Sequence, residues 1–199
     1  MIILIATQNA GKVKEIRELL KDSPVALRSL KDFKDIAEPE ETGSTFMENS
    51  VLKAEYYSSQ TGLPAIADDS GLEVAALGGA PGIFSARYAG LNSSDAQRIE
   101  KLLTELKQTP RENRRARFVC AAAITNEKGR IVYTTTGSCE GKIAFAPRGN
   151  NGFGYDSIFI PENFSRTFGE LSDAEKQEIS HRAQAMKKII EFLHDYYAA

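Results

Sequence analysis

The first six residues, Met1-Ile2-Ile3-Leu4-Ile5-Ala6, form an apolar run that ends at a polar turn, Thr7-Gln8-Asn9-Ala10-Gly11-Lys12. A helical pattern follows at once, with Val13, Ile16, Leu19 and Leu20 spaced for one face. A buried strand therefore feeds a loop that opens a helix. That arrangement points backbone N–H groups, the positive helix end and a lysine at one spot, which suits a phosphate. It is not a Walker A loop, because Val13 follows Lys12 where Ser or Thr is needed and no glycine precedes Gly11. The alternative is an ordinary strand-to-helix connection.

Further elements can be read along the chain. Thr45-Phe46-Met47-Glu48 has the form of a capping box, and Met47, Val51, Ala54 and Tyr57 follow at helical spacing. This helix should run to about Thr61, where Gly62 and Pro64 stop it. Ala65 to Ala67 reads as a short strand ending at Asp68-Asp69-Ser70-Gly71, and Leu72 to Leu77 as another strand before a turn over Gly78 to Gly82. A third helix covers Ser94 to Leu106. Arg117 to Thr125 and Arg130 to Thr136 read as strands joined by a turn at Asn126 to Gly129. Ser172 to Glu175 is a second capping box, opening one last helix with Ile179, Ala183, Met186, Ile190, Leu193 and Tyr197 along a face. Mixed strands and helices with a hairpin predict an α/β or α+β fold with a mixed sheet. No repeat or long linker breaks the chain, so residues 1–199 are expected to form a single domain, with room for two lobes.

Composition narrows the partners. The net charge of −2 gives no basic excess to displace counterions, which argues against a nucleic-acid binder. The cluster Arg111, Arg114, Arg115 and Arg117 reads as a solvated loop or a phosphate-facing rim. No stretch approaches the roughly 20 apolar residues of a membrane span, and the first apolar run lacks the basic flank of a signal peptide. Cys120 and Cys139 sit in strand-like contexts and read as buried thiols of a reducing cytoplasm.

Three acidic places stand out: Glu38, Glu40 and Glu41 around Pro39, the pair Asp68-Asp69, and Asp156. A carboxylate pair with a second acidic group is what a Mg2+ site with phosphate ligands needs, since Mg2+ takes one or two carboxylates and leaves its other positions to water and phosphate. Two adjacent carboxylates after an apolar strand are unfavourable unless cations or donors offset them. Lys12, Lys53, Lys176 and Arg182 are the candidate cations for a polyphosphate. Gly149 to Asp156 is a glycine-rich loop in which Phe153 or Tyr155 could stack on a flat base, or be buried in a tight hairpin.

Five stretches in order, Ala6 to Lys12, Ala67 to Leu72, Gly79 to Tyr88, Gly152 to Asp156 and Ile179 to Arg182, closely resemble the inosine triphosphate pyrophosphatase family. That family hydrolyses non-standard purine nucleoside triphosphates. The resemblance spans nearly the whole chain. It implies an elongated, two-lobed mixed α/β fold with a central cleft, and a homodimer to which Gly79 to Tyr88 contributes. It implies that Thr7, Asn9 and Lys12, in a substrate-binding stretch with Gln8, Ala10 and Gly11, hold the triphosphate with Lys53. Asp69 would be the catalytic carboxylate and a ligand of Mg2+, with Mn2+ as the alternative metal and Glu40 or Glu41 as the other acidic ligand. Ser70 would touch the substrate, and Phe153, Gly154, Tyr155, Asp156, Lys176, Ser180, His181 and Arg182 would form the base pocket. The implied reaction turns ITP, dITP or XTP into the monophosphate and pyrophosphate. The rival readings are a septum-inhibitor-like nucleotide pyrophosphatase and a triphosphate sensor without catalysis. The Ser180-His181-Arg182 end favours the purine family over the first, and Asp68-Asp69 beside a second acidic cluster favours an enzyme over the second.

Overall fold

The computed structural model describes residues 1–198, and side chains as far as Tyr196; the Tyr197 side chain lies outside the described part. The elements run β1 (Ile2–Ile5), α1 (Ala10–Leu19), β2 (Ala26–Ser29), α2 (Phe46–Thr61), β3 (Ala65–Val74), α3 (Asp95–Glu105), β4 (Arg115–Thr125), β5 (Ile131–Ile143), β6 (Phe159–Pro161), α4 (Asp173–Ile179) and α5 (His181–Ala198). The strands form one mixed sheet in the order β2-β1-β3-β4-β5-β6. β1 lies parallel to β2 and β3, and β6 runs antiparallel to β5. The expected mixed α/β fold is therefore observed.

Contacts divide the chain into two compact units. The first holds residues 1–69, 120–137 and 182–199, and the second holds 70–119 and 138–181. In the first, strand alternation sorts side chains onto two faces. Ile3, Ile5, Ile66, Cys120, Ala122 and Ile124 pack with Ile16 and Leu20 of α1 and with Met186, Ile189 and Leu193 of α5. Leu4, Ala6, Ala65, Ala67 and Ala123 pack on the other face with Ala54 and Tyr57 of α2. The second unit has its own core, where Leu102 and Leu106 meet Leu72, Phe118, Tyr155, Phe159 and Phe168.

Several expectations need correction. Residues 65–74 are one strand, not two flanking a turn, so Asp68 and Asp69 lie inside β3 rather than at a strand end. Acidic residues and a glycine in mid-strand read as punctuation, but here each carboxylate meets cations from a helix, as described below. The final helical stretch is two helices, because Ser180 is extended (φ −68°, ψ 154°) between α4 and α5. The apolar spacing carries on across the break, so periodicity alone could not show it. β5 continues seven residues beyond Thr136. In α2 the N-cap is Thr45, as expected, but Glu48 reaches back to the Ser44 N–H and hydroxyl rather than to Thr45. The helix ends on Gly62, whose φ of 67° suits glycine. Its buried face includes Asn49, Ser50 and Lys53, rotated from the apolar Met47–Val51 stripe that the spacing suggested. Arg114 is no solvated rim residue: it is buried, donating to the carbonyls of Ala144 and Leu106.

Candidate active site

Alternation along β3 turns Asp68 and Asp69 to opposite faces, and each face supplies its own cations. Asp68 is fully buried on the side of α1 and α5. Its Oδ2 accepts from Lys12 Nζ at 3.1 Å and from Arg182 Nε and NH2 at 3.3 and 3.2 Å, and the Cys120 thiol lies 3.8 Å away. Arg182 also donates to Glu15. Burial would raise the Asp68 pKa, but Lys12, Arg182 and Lys53 outweigh it and hold the carboxyl far below the usual range. Burial likewise would lower Arg182, and Asp68 and Glu15 reverse that, so the guanidinium stays charged. This is a packed ionic bracket joining α1, β3 and α5.

Asp69 faces α2. Its Oδ1 lies 3.1 Å from Lys53 Nζ and its Oδ2 accepts from Asn49 Nδ2 at 3.2 Å. Asn49 and Lys53 are four residues apart, one helical turn, so both project to the same place. Lys53 also meets Glu41 Oε1 at 2.7 Å. Burial alone would depress the Lys53 pKa; Asp69 and Glu41 more than offset it, and the pKa is raised. The loop bearing Glu41 is fixed by Asn49, whose Oδ1 accepts from Gly43 N–H at 2.8 Å. Only glycine fits there, since a Cβ on Gly43 would stand 2.6 Å from that oxygen.

The turn before α1 has the geometry its sequence suggests. Asn9 caps the helix through Lys12 N–H at 3.1 Å, and Thr7 Oγ1 accepts from Asn9 N–H at 3.3 Å. The first intrahelical bond is Val13 N–H to Asn9 O, so the amides of Ala10 and Gly11 precede the helical ladder. Gln8 is exposed beside them.

The second unit holds the other expected residues. Asp156 Oδ2 accepts from Phe153 N–H at 2.8 Å and from Lys176 Nζ at 2.6 Å. The Lys176 ammonium lies 5.1 Å from the Phe153 ring centroid. A Cβ on Gly152 would stand 2.0 Å from Asp156 Oδ2, and its φ is 75°, so this position admits only glycine. Tyr155 is in the core and its hydroxyl donates to Ser85 O, so it supports the loop and is not a stacking face. Phe153 is half-buried. His181 is buried and stacks on Phe118, with centroids 4.7 Å apart. Ser180 is buried at the break between α4 and α5.

The family model described as the Ham1 family matches residues 3–192. The chain belongs to the Ham1 family. A curated Ham1 relative from Geobacillus kaustophilus, named dITP/XTP pyrophosphatase, is 52% identical over 189 residues, covering 95% of this chain and 92% of its own. The solved structure of a HAM1 protein from Coxiella burnetii is similar at a TM-score of 0.88 and 46% identity, over 98% of this chain and 99% of that one. The Staphylococcus aureus Ham1 protein matches at a TM-score of 0.86 and 41% identity, over 98% and 100%. The resemblance to inosine triphosphate pyrophosphatases drawn from five motifs holds.

Within this Ham1 chain the first unit gathers Lys12, Lys53, Asp68, Asp69, Glu41 and Arg182 around β3. Glu41, not the exposed Glu40, shares a cation with Asp69. Asn49, Glu15 and Cys120 also meet these charged groups, Asn49 at Asp69, Cys120 at Asp68 and Glu15 at Arg182, and none of the three belongs to a sequence motif. For Asn49 a signal existed: it stands one turn before Lys53. Glu15 carried none, because an acid on an amphipathic helix looks like any solvated residue. Among the described residues no group of three or more His, Cys, Asp and Glu side chains is arranged to hold a metal by itself. The two carboxylates drawn onto the Lys53 ammonium, Asp69 and Glu41, are nonetheless hard oxygen donors of the kind a divalent cation takes together with water and phosphate oxygens.

Proposed function

We propose that this protein hydrolyses non-standard purine nucleoside triphosphates, ITP, dITP and XTP, to the monophosphate and pyrophosphate. The reading rests on one observation above the others: Asp69 is held by Lys53 and Asn49 beside Glu41 in a chain 52% identical to a dITP/XTP pyrophosphatase. Thr7, Asn9, Lys12 and the Ala10 and Gly11 amides, with Gln8 beside them, bind phosphate oxygens, and Lys53 adds a second cation. Asp69 orients the attacking water and takes its proton as oxygen bonds to phosphorus and pyrophosphate departs. Asp69 and Glu41 would hold Mg2+, or Mn2+ in its place, and the ion would supply positive charge to neutralise the phosphate oxygens. Lys53 keeps the two carboxylates together. Asn49 keeps Asp69 from swinging.

Base reading falls to the second group. Phe153 offers a ring face, Gly154 and Ser70 offer backbone or hydroxyl contacts, and Asp156 with Lys176 sets the loop. Hypoxanthine and xanthine carry a 6-oxygen where adenine carries an amino group. Donors from His181, Ser180 or Arg182 toward that oxygen would face a donor when adenine enters, a mismatch that discriminates by roughly 10⁴-fold. No helix among the described residues is long and apolar enough to cross a membrane. We place the protein in the cytoplasm with the nucleotide pool, consistent with its two free, buried thiols. We assign it a homodimer, for which the exposed Phe84 and Leu91 supply apolar surface.

The test is product analysis by chromatography and phosphorus NMR, with ITP, XTP, GTP and ATP offered in parallel, with and without Mg2+. Monophosphate plus pyrophosphate from ITP and XTP, dependent on Mg2+ and with ATP spared, is the expected result. Orthophosphate release would overturn the cleavage site. Tight ITP binding without turnover would replace the enzyme by a sensor.

A further inference from the structure

Phe153 stands between Gly152 at φ 75° and Gly154 at φ 60°, so its backbone has little rigidity of its own. Three acceptors fix this segment. Asp156 takes the Phe153 N–H, and Ser85 O takes the Tyr155 hydroxyl. The third is Asp95, 59 residues away at the first position of α3, whose Oδ2 accepts from Gly154 N–H at 2.6 Å.

An acidic residue at a helix start has an ordinary explanation, the favourable helix dipole. Asp95 does more than that explanation requires. The capping of α3 is already carried by Ser94, whose hydroxyl and N–H form a reciprocal box with Gln97. Asp95 divides its two oxygens instead. Oδ2 goes to Gly154 and Oδ1 goes to Arg98. Arg98 in turn donates to Ala86 O at 2.9 Å and to Ser93 O. The guanidinium therefore fixes Asp95 against the turn over Gly82–Arg87, the same turn whose Ser85 carbonyl receives Tyr155. Two separate hydrogen-bond routes tie the loop to that turn, through Tyr155 and through Asp95–Arg98. A charged acceptor on a backbone N–H gives a bond roughly twice as strong as a neutral one.

We infer that Asp95, held by Arg98, is a positioning residue for base recognition, fixing the Gly154 backbone so that Phe153 presents its ring to the purine. The inference rests on the proposed function, in which Phe153 meets the base. Asp95→Ala leaves the Gly154 N–H without its acceptor and frees Phe153 to wander. Lys12, Lys53 and Asp69 are untouched by that change.

The expected signature is a split between parameters. Asp95→Ala raises KM for ITP about tenfold, the worth of one charge-assisted bond, while kcat stays within about twofold. Inhibition by inorganic tripolyphosphate, which has no base, is unchanged. Asp95→Asn keeps an oxygen acceptor and restores most of the lost affinity; Arg98→Ala reproduces part of the defect. Hydrogen exchange at Gly154 should quicken in Asp95→Ala and return toward wild type in Asp95→Asn. An Asp95→Ala enzyme with wild-type KM overturns the inference. So does one in which kcat, tripolyphosphate inhibition and melting temperature all fall together, because that is a structural role only. Wild-type protein that leaves ITP intact overturns the proposed function and this inference with it, whereas normal wild-type turnover with an unaffected variant overturns this inference alone.

Discussion

Replacing Asp69 by Asn keeps the side-chain volume and an oxygen for Lys53, but removes the basic group that accepts a proton from water. The variant should fold with α2 and β3 in place. Its kcat should fall about 10²–10⁴-fold, the range of a lost general base. Phosphorus NMR of ITP turnover with a melting curve on the same sample checks both halves, and near-normal rates would remove Asp69 from the chemistry. Arg182→Ala tests the opposite face. Asp68 is fully buried, and Arg182 supplies two of the donors on its Oδ2. Removing that cation leaves a buried carboxylate short of compensation, a loss of about 3–5 kcal/mol. Urea unfolding should show it, and Arg182→Lys should recover part. The ITP-to-ATP preference should narrow in the same variant, and unchanged selectivity would take Arg182 out of base reading. The sequence pointed to both residues through the motifs around them. It hid the division of labour between Asp68 and Asp69, because that depends on β3 continuing unbroken, and Ser70-Gly71 reads locally as a turn.

At the scale of elements, α4 is seven residues long and carries Lys176, so its start matters to the loop that Asp156 anchors. Ser172 accepts from Glu175 N–H at 3.3 Å, and the Glu175 carboxylate accepts from Ser172 N–H at 2.9 Å. Ser172→Ala should cost about 1 kcal/mol, the usual loss of a cap. The backbone bond from Ser172, then Arg166 and the Ser172 hydroxyl, lowers the Glu175 pKa from 4.5 to about 2. A carboxyl depressed on folding stabilises the folded state above its ordinary pKa, and that share is lost as pH falls. The wild type should therefore lose this contribution between about pH 4.5 and 2, and Glu175→Gln, which has no carboxyl to titrate, should show a shallower acid limb there. Urea midpoints at several pH values, with a carbon-13 titration of Glu175, measure it; identical acid limbs would reject the coupling. This cap was legible from four residues, as were α1, the end of α2 at Gly62 and the extent of α3. The break at Ser180 was not, since the apolar spacing of α4 runs on into α5. Lys176 and Arg182 instead meet different carboxylates, Asp156 and Asp68, from separate helices.

Across the molecule, β3, β4 and β5 each contribute residues to both compact units, so neither unit owns a complete set of its strands as separate chain segments. Mixed composition and the hairpin sufficed to predict a mixed sheet, but β2 and the long run of β5 depend on pairing with distant strands that no local pattern records. Shared strands predict a single cooperative transition. The two cysteines report on it independently, because Cys120 belongs to the first unit and Cys139 to the second. Both are buried and free. Burial pushes Cys139 up to about 12 and Cys120 well beyond its usual range. Neither thiol should therefore form appreciable thiolate at pH 8 in the folded protein, and alkylation must wait for opening. Pulsed labelling across a urea series, with each site resolved by mass spectrometry, should give one midpoint and one slope for both cysteines. Cys139 reacting at clearly lower urea than Cys120, or the reverse, would mean that the units open separately despite the strands they share.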